Sequence, residues 1–127
     1  MMISNSKIAE TIAQITTISG IQHVPTDVIT DVINLANAFP NDFDFDSAAD
    51  NVIRSIIQIK RNPHIGGLLR DNYVGYRSFH YQSKRVNKHP ADMRTIYRYR
   101  EDNGVIYLHG FGHCHNPDSV YKRFQGR

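Results

Sequence analysis

The chain has 127 residues, of which 40% are hydrophobic and 21% charged, so it can form one domain with its own core and is not a disordered polymer. The single cysteine, Cys114, excludes an internal disulfide framework and a cysteine-rich zinc site. The net charge of +3 conceals a division: residues 1–59 hold two basic and seven acidic residues, whereas residues 60–127 hold thirteen basic and five acidic ones.

Hydrophobic periodicity predicts helices in the first half of the chain. Isoleucines within residues 8–15 recur at spacings of three and four, which places them on one helical face. A second helix is predicted to begin at Pro25 and to carry an apolar stripe as far as Phe39, where Pro40 ends it. Both stripes are typical of core-facing helices.

A third helix is predicted to follow an acidic linker at residues 41–46. Ser47 and Asp50 have the spacing of a capping box, which favours a helix start at this point. Apolar residues then continue on one face to about Ile59, and Asn62-Pro63 closes the helix.

The second half has the character of a β-sheet. Residues 73–81 are rich in aromatic residues and predict a strand, and a polar loop at 82–92 follows. Residues 93–100 and 105–110 predict two more strands, joined by an Asn-Gly turn within 101–104. The three strands are expected to form a twisted antiparallel sheet.

The remaining tail is expected to leave the sheet at Gly110-Phe111-Gly112. Residues 119–124 are predicted to form a last short strand or a helical turn. We therefore expect an α+β single domain over residues 1–127. Its acidic half, 1–60, packs as helices on one face of the sheet, and its basic half, 61–127, forms the sheet and carries the site on the opposite face.

Three sequence segments resemble the RelE/ParE superfamily of bacterial toxins. Asn62-Pro63 followed by Gly67-Leu68-Leu69 resembles the segment between the helices and the sheet of those proteins. Residues 92–98 resemble the central strand, in which an arginine precedes a tyrosine, and residues 105–113 with the tail at 119–122 resemble the last strand and its extension. Together these segments cover about residues 50–124.

The resemblance implies a RelE-like microbial RNase fold and a metal-independent endoribonuclease that acts as a toxin. Such a toxin cleaves mRNA, on or off the ribosome, needs no cofactor and leaves a 2′,3′-cyclic phosphate. It inhibits translation in the cytoplasm and is held by a cognate antitoxin or immunity protein. The absence of a long apolar run and of a signal-peptide pattern agrees with a cytoplasmic protein without a membrane partner.

The chain also departs from the family's pattern. The family usually begins with a β-strand, whereas the first 40 residues here predict helices. The loop before Arg94 is longer than usual, and the tail between His113 and Tyr121 carries extra residues.

The resemblance assigns catalytic roles to residues on the predicted strands. Arg94 matches the strand arginine that holds the scissile phosphate, and a guanidinium fork suits two phosphate oxygens. His80 lies where some members carry a catalytic histidine, and an imidazole titrates near neutrality. The competing interpretations are a surface arginine and a structural strand histidine.

The tail contributes the other candidates. Either His113 or His115 could be the general acid or phosphate contact that follows the last strand, and Tyr121 matches a terminal tyrosine that stacks on a base or assists proton transfer. A core aromatic is the alternative for Tyr121. A metal site formed by His109, His113 and His115 is a weaker alternative, and Cys114 is expected to be a small packed side chain.

Basic residues around the long loop are expected to follow the RNA backbone, namely Arg77, Lys84, Arg85 and Lys88. Other functions remain open at this point. The ParE branch inhibits DNA gyrase without an RNase site, a secreted or phage-borne toxin of the same fold group could cleave tRNA, and a plain binding module would need no catalysis.

Overall fold

A computed structural model describes residues 2–70, 73–114 and 119–127. Within these ranges the chain forms helices and strands in the order α1 (Asn5–Thr16), β1 (Ile21–His23), α2 (Pro25–Ala38), α3 (Asp42–Arg61), β2 (Gly67–Leu68), β3 (Tyr76–Tyr81), β4 (Met93–Arg100), β5 (Val105–His113) and α4 (Val120–Gln125).

One five-stranded sheet organises the molecule, with the strand order β1-β5-β4-β3-β2. Helices α1, α2 and α3 form a core with Met93, Leu108 and Phe111 on one face of the sheet. Helix α4 packs on the other face, where Val120 and Phe124 cover Ile96. The predicted α+β class, with N-terminal helices on one face of the sheet, is confirmed.

The sheet differs from the prediction at both edges. Strand β1 pairs in parallel with β5, so the sheet is mixed and not purely antiparallel. Strand β2 adds a short edge beside β3. The predicted central meander of three antiparallel strands is present as β3, β4 and β5.

Helix α3 begins earlier than expected, so the acidic linker at 41–46 was a wrong prediction. The side chain of Asn41 caps the helix by accepting a hydrogen bond from the backbone N–H of Asp44 at 2.9 Å. Asp42 and Asp44 in the first turn suit the positive end of the helix dipole. Ser47 does not cap the helix, because it lies in the second turn of α3 and its hydroxyl donates to the carbonyl of Ser83. No helix among the described ranges is long and apolar enough to cross a membrane.

Strand β5 also extends further than expected. It does not leave the sheet at Gly110 but continues to His113, and it contains a bulge. Tyr97 lies opposite Leu108 and Ile96 lies opposite Gly110, so His109 is the extra residue. The tail after it forms helix α4, one of the two predicted possibilities.

A buried carboxylate connects α2, β5 and the C-terminal segment. Asp31, which is 1% exposed, accepts hydrogen bonds from Nη1 and Nη2 of Arg127 at 2.9 and 2.7 Å. It also accepts from Nε of Arg123 at 3.0 Å and from the backbone N–H of Phe111 at 3.1 Å. The two arginines in turn donate to the carbonyls of Phe111 and His109. These side chains therefore provide hydrogen-bond partners for backbone groups of β5 beyond Leu108, where the pairing with the short strand β1 ends.

We expect Asp31→Ala to lower the free energy of unfolding by about 3–5 kcal/mol, because it leaves two largely buried guanidinium groups without their anion. Equilibrium urea denaturation measures this change. Asp50→Ala is the matched control, since Asp50 forms an exposed ion pair with Arg54 on α3 and should cost no more than about 0.5 kcal/mol. Equal losses in the two variants would show that the Asp31 cluster does not anchor the C-terminal segment.

Candidate functional site

The candidate site lies on the face of the sheet that carries α4, hereafter the α4 face. His80 on β3 lies directly opposite Arg94 on β4, and Arg94 lies opposite Gly112 on β5. Directly opposed residues in antiparallel strands project to the same side of the sheet, with Cβ atoms about 4.5–5.5 Å apart. The structure thus brings together two of the predicted catalytic residues.

His80, Arg94 and Gly112 form a row across β3, β4 and β5, and the glycine adds no side chain to it. Its φ of +144° favours glycine, and an added Cβ would lie 2.8 Å from Nη2 of Arg123. The row therefore presents the imidazole of His80 and the guanidinium of Arg94, and the guanidinium of Arg123 lies over Gly112 at its end.

His80 is suited to accept a proton at neutral pH. Its side chain is exposed, and it makes no hydrogen bond within the described part of the chain. Desolvation, followed by the positive charge of Arg94, lowers the pKa of His80 below its ordinary value. The imidazole is therefore neutral at pH 7 and has lone-pair capacity for a substrate hydroxyl.

Arg94 is held by the backbone through one terminal nitrogen. Its Nη1 donates to the carbonyls of Ala91 and Met93 at 2.5 and 2.9 Å. Among the described residues Nη2 has no acceptor, and Nε is buried without one. Its Nη2 therefore remains as a donor for an anion such as a phosphate, whereas the buried Nε does not reach the surface.

Tyr121 reaches the same face from helix α4. Its hydroxyl forms a 2.8 Å hydrogen bond with the hydroxyl of Ser78, which lies two residues before His80 on β3. Residues two apart on a strand share a face and are about 7 Å apart. Tyr121 is half-buried, so its ring also contributes to the packing of α4 against Ile96. These contacts agree with the structural interpretation of Tyr121, and its role in catalysis stays a prediction.

Two neighbours of this site were not assigned to it from the sequence. Ser78 is buried and shares its hydroxyl hydrogen bond with Tyr121, a contact that depends on the position of α4. Cys114 follows β5. Burial raises the pKa of its thiol, and this effect exceeds the opposite effect of the positive charge of Arg94. Cys114 therefore remains a protonated, half-buried side chain, as predicted from its sequence context.

The structure does not place His113 with His80 and Arg94. His113 lies opposite Met93, whose side chain is in the core between the sheet and the helices. Its ring contacts Phe39 edge-on, with centroids 6.1 Å apart, at the end of α2. The position of His113 on the helical face therefore contradicts the prediction that it acts together with His80 and Arg94. His115, the other candidate, lies outside the described residues.

The alternative metal site is also divided between the two faces. His109 lies among Tyr76, Tyr107 and Phe124 on the α4 face, whereas His113 lies on the helical face. Within residues 2–70, 73–114 and 119–127 no group of three or more His, Cys, Asp or Glu side chains is placed to hold a metal ion.

The four predicted RNA-contacting residues fall into two groups. Arg77 donates to the carbonyls of His64 and Gly66, and Lys84 forms a 2.7 Å ion pair with Asp44. These two side chains have structural partners. Arg85 and Lys88 are exposed on the loop after β3 and remain candidates for contact with RNA.

The positive charge of Arg94 beside His80 leads to a prediction about the pKa of His80. Arg94→Gln should raise the pKa of His80 part of the way towards its ordinary value, because it removes the repulsive charge but not the desolvation. A proton NMR titration of the imidazole measures the change.

Arg98→Gln provides the matched control on the same strand. Burial, followed by the positive charge of Arg98, lowers the pKa of His109, so Arg98→Gln should raise that pKa in part and leave the pKa of His80 unchanged. A His80 titration that responds equally to both variants would contradict the assigned pairing.

Comparisons with known proteins give no further assignment. No protein-family model, curated protein or solved structure matches the chain. The functional proposal therefore depends on the residues of this chain and their arrangement.

Proposed function

We propose that the protein is a metal-independent endoribonuclease of the toxin type. The observation that carries the proposal is the pairing of His80 with Arg94 across two neighbouring strands. RNA cleavage by attack of its own 2′-hydroxyl needs a base near that oxygen and positive charge near the phosphorus. A neutral imidazole beside a guanidinium with unused donors meets both needs.

The proposed reaction assigns one step to each group. His80 accepts the proton of the 2′-hydroxyl, and the 2′-oxygen attacks the adjacent phosphorus. Arg94 stabilises the negative charge that grows on the non-bridging oxygens as the phosphorane forms. The bond to the 5′-oxygen then breaks, and that oxygen receives a proton from the hydroxyl of Tyr121, which Ser78 holds over the sheet. The products are a 2′,3′-cyclic phosphate and a 5′-hydroxyl.

The order of elements supports the resemblance to the RelE/ParE superfamily. The sequence predicted no strand before the helices, which departs from that family. The structure, however, has strand β1 before the helix pair α2 and α3. Four antiparallel strands follow these helices, namely the short β2 and the three strands β3, β4 and β5 that the sequence predicted. An additional helix, α1, precedes β1.

This proposal includes the partners implied by the resemblance. The substrate is RNA, with mRNA on the ribosome as the first to test, and the site of action is the cytoplasm. A cognate antitoxin or immunity protein would restrain the activity. The basic charge of residues 60–127 suits an RNA partner, since phosphate contacts dominate the affinity for nucleic acids.

Purified protein should cleave RNA in the presence of EDTA and leave 2′,3′-cyclic phosphate ends. His80→Ala should lower turnover about 10²-fold or more, the usual scale for a lost general base. Arg94→Ala should lower turnover more than RNA affinity, because its charge matters most as the phosphorane forms. Gel assays with and without ribosomes, with mass spectrometry of the ends, measure these effects.

His64→Ala is the control, because His64 is an exposed histidine paired with Glu101, which follows the end of β4 opposite to Arg94. It should keep full activity, and all variants should keep the circular dichroism of the parent. Cleavage that survives in both His80→Ala and Arg94→Ala would place the active site elsewhere. Inhibition of gyrase supercoiling without RNA cleavage would instead favour the ParE-like activity.

A further inference from the structure

A depression lies next to His80, between helix α3 and the outer edge of β3. Strand β2 pairs only with Arg77 and Ser78, so among the described residues no strand pairs with β3 on that side beyond Ser78. The loop at 82–92 borders the space. The resulting cleft has a volume of about 360 Å³, which is in the range of small-molecule sites.

The charged lining of the cleft consists of two arginines, Arg54 and Arg85, and no carboxylate of the described residues lines it. His89 also lines it, with its Nε2 3.4 Å from Oδ2 of Asp92, and His80 borders it from the edge of β3. Arg54 is one of only two basic residues among residues 1–59. Its Nε is engaged by Asp50 at 3.0 Å, and Arg85 is exposed on the loop. An anion with several oxygens, such as a phosphate, is the ligand that two guanidinium groups favour.

The remaining lining suits a nucleobase. The aromatic rings of Phe79 and Tyr81, which stack on each other with centroids 5.9 Å apart, both line the cleft, and contact with an aromatic ring accepts any base. The side-chain amide of Gln58 on α3 adds a hydrogen-bonding group that can serve as donor or acceptor. The cleft therefore combines a phosphate-binding part with a part for a flat ring.

We propose that this cleft binds the nucleotide that neighbours the scissile phosphate. His80 supplies the connection, because it lines the cleft and also forms the pair with Arg94 on the α4 face. RNA would thus cross the free edge of β3, with one nucleotide held against α3 and the reacting phosphate beside Arg94. The assignment of the neighbouring nucleotide rests on the proposed ribonuclease function, whereas the nucleotide site itself can be tested alone.

Binding of a single nucleotide tests the cleft without any need for cleavage. Adenosine 3′-monophosphate and cytidine 3′-monophosphate, titrated into ¹⁵N-labelled protein, should shift the backbone amides of residues 54–58 and 79–85. The double variant Arg54→Ala/Arg85→Ala should weaken this binding about tenfold or more, the loss expected when charge-assisted phosphate contacts are removed. Both arginines are exposed, so their replacement should leave the fold intact.

The double variant Arg61→Ala/Arg100→Ala is the matched control. It removes the same charge from the end of α3 and from the end of β4, outside the cleft, and should change affinity by less than about twofold, as expected for screened surface charges. Equal losses in the two double variants would overturn the proposal, since they would show general charge attraction. Shifts confined to residues outside the cleft would overturn it as well, as would binding of an acidic peptide in place of nucleotides.

The two proposals can fail separately. RNA cleavage that requires His80 and Arg94, together with nucleotide binding that ignores Arg54 and Arg85, would overturn the cleft and leave the ribonuclease in place. Nucleotide binding that depends on Arg54 and Arg85 in a protein without any cleavage would support the nucleotide site and overturn its role beside a scissile phosphate.

Discussion

The buried carboxylate of Asp31 is the interaction on which the α4 face depends. It holds Arg123 and Arg127 against the edge of β5 and so fixes where α4 lies on the sheet. Without this anchor, a six-residue helix has too little apolar surface to choose one position. The position of α4 sets the contact of Tyr121 with Ser78, two residues from His80. A charge cluster on one side of β5 thus determines the geometry of the candidate site on the neighbouring strands.

Helical periodicity was sufficient to predict α1 and α2, because each buries one continuous stripe. The start of α3 was missed because acidic residues around Phe45 suggested a linker, although acids suit the first turn of a helix and Phe45 is fully buried. Strand β1 could not be predicted from three residues alone. Its existence depends on pairing with β5, more than 80 positions away in the chain.

The candidate site was only partly predictable for a related reason. His80 and Arg94 were chosen individually from a resemblance, and their direct opposition follows from the register between β3 and β4. The error at His113 has a definite cause, the bulge at His109. Regular alternation would place His113 on the same face as His109, and one extra residue transfers it to the helical face. The cleft beside β3 was also beyond prediction, because it exists only where β2 ends.

The long separation between Asp31 and its two arginines has a consequence for how the protein is made. A ribosome makes the chain from its N-terminus, so Asp31 is synthesised more than 90 positions before Arg123 and Arg127. During that interval the carboxylate can remain in water, and burying it unpaired would be costly. Helices α1, α2 and α3 can pack against one another earlier, since their mutual contacts lie closer in the chain. The face with Tyr121 is therefore completed only after the segment that carries Arg123 and Arg127 has been synthesised.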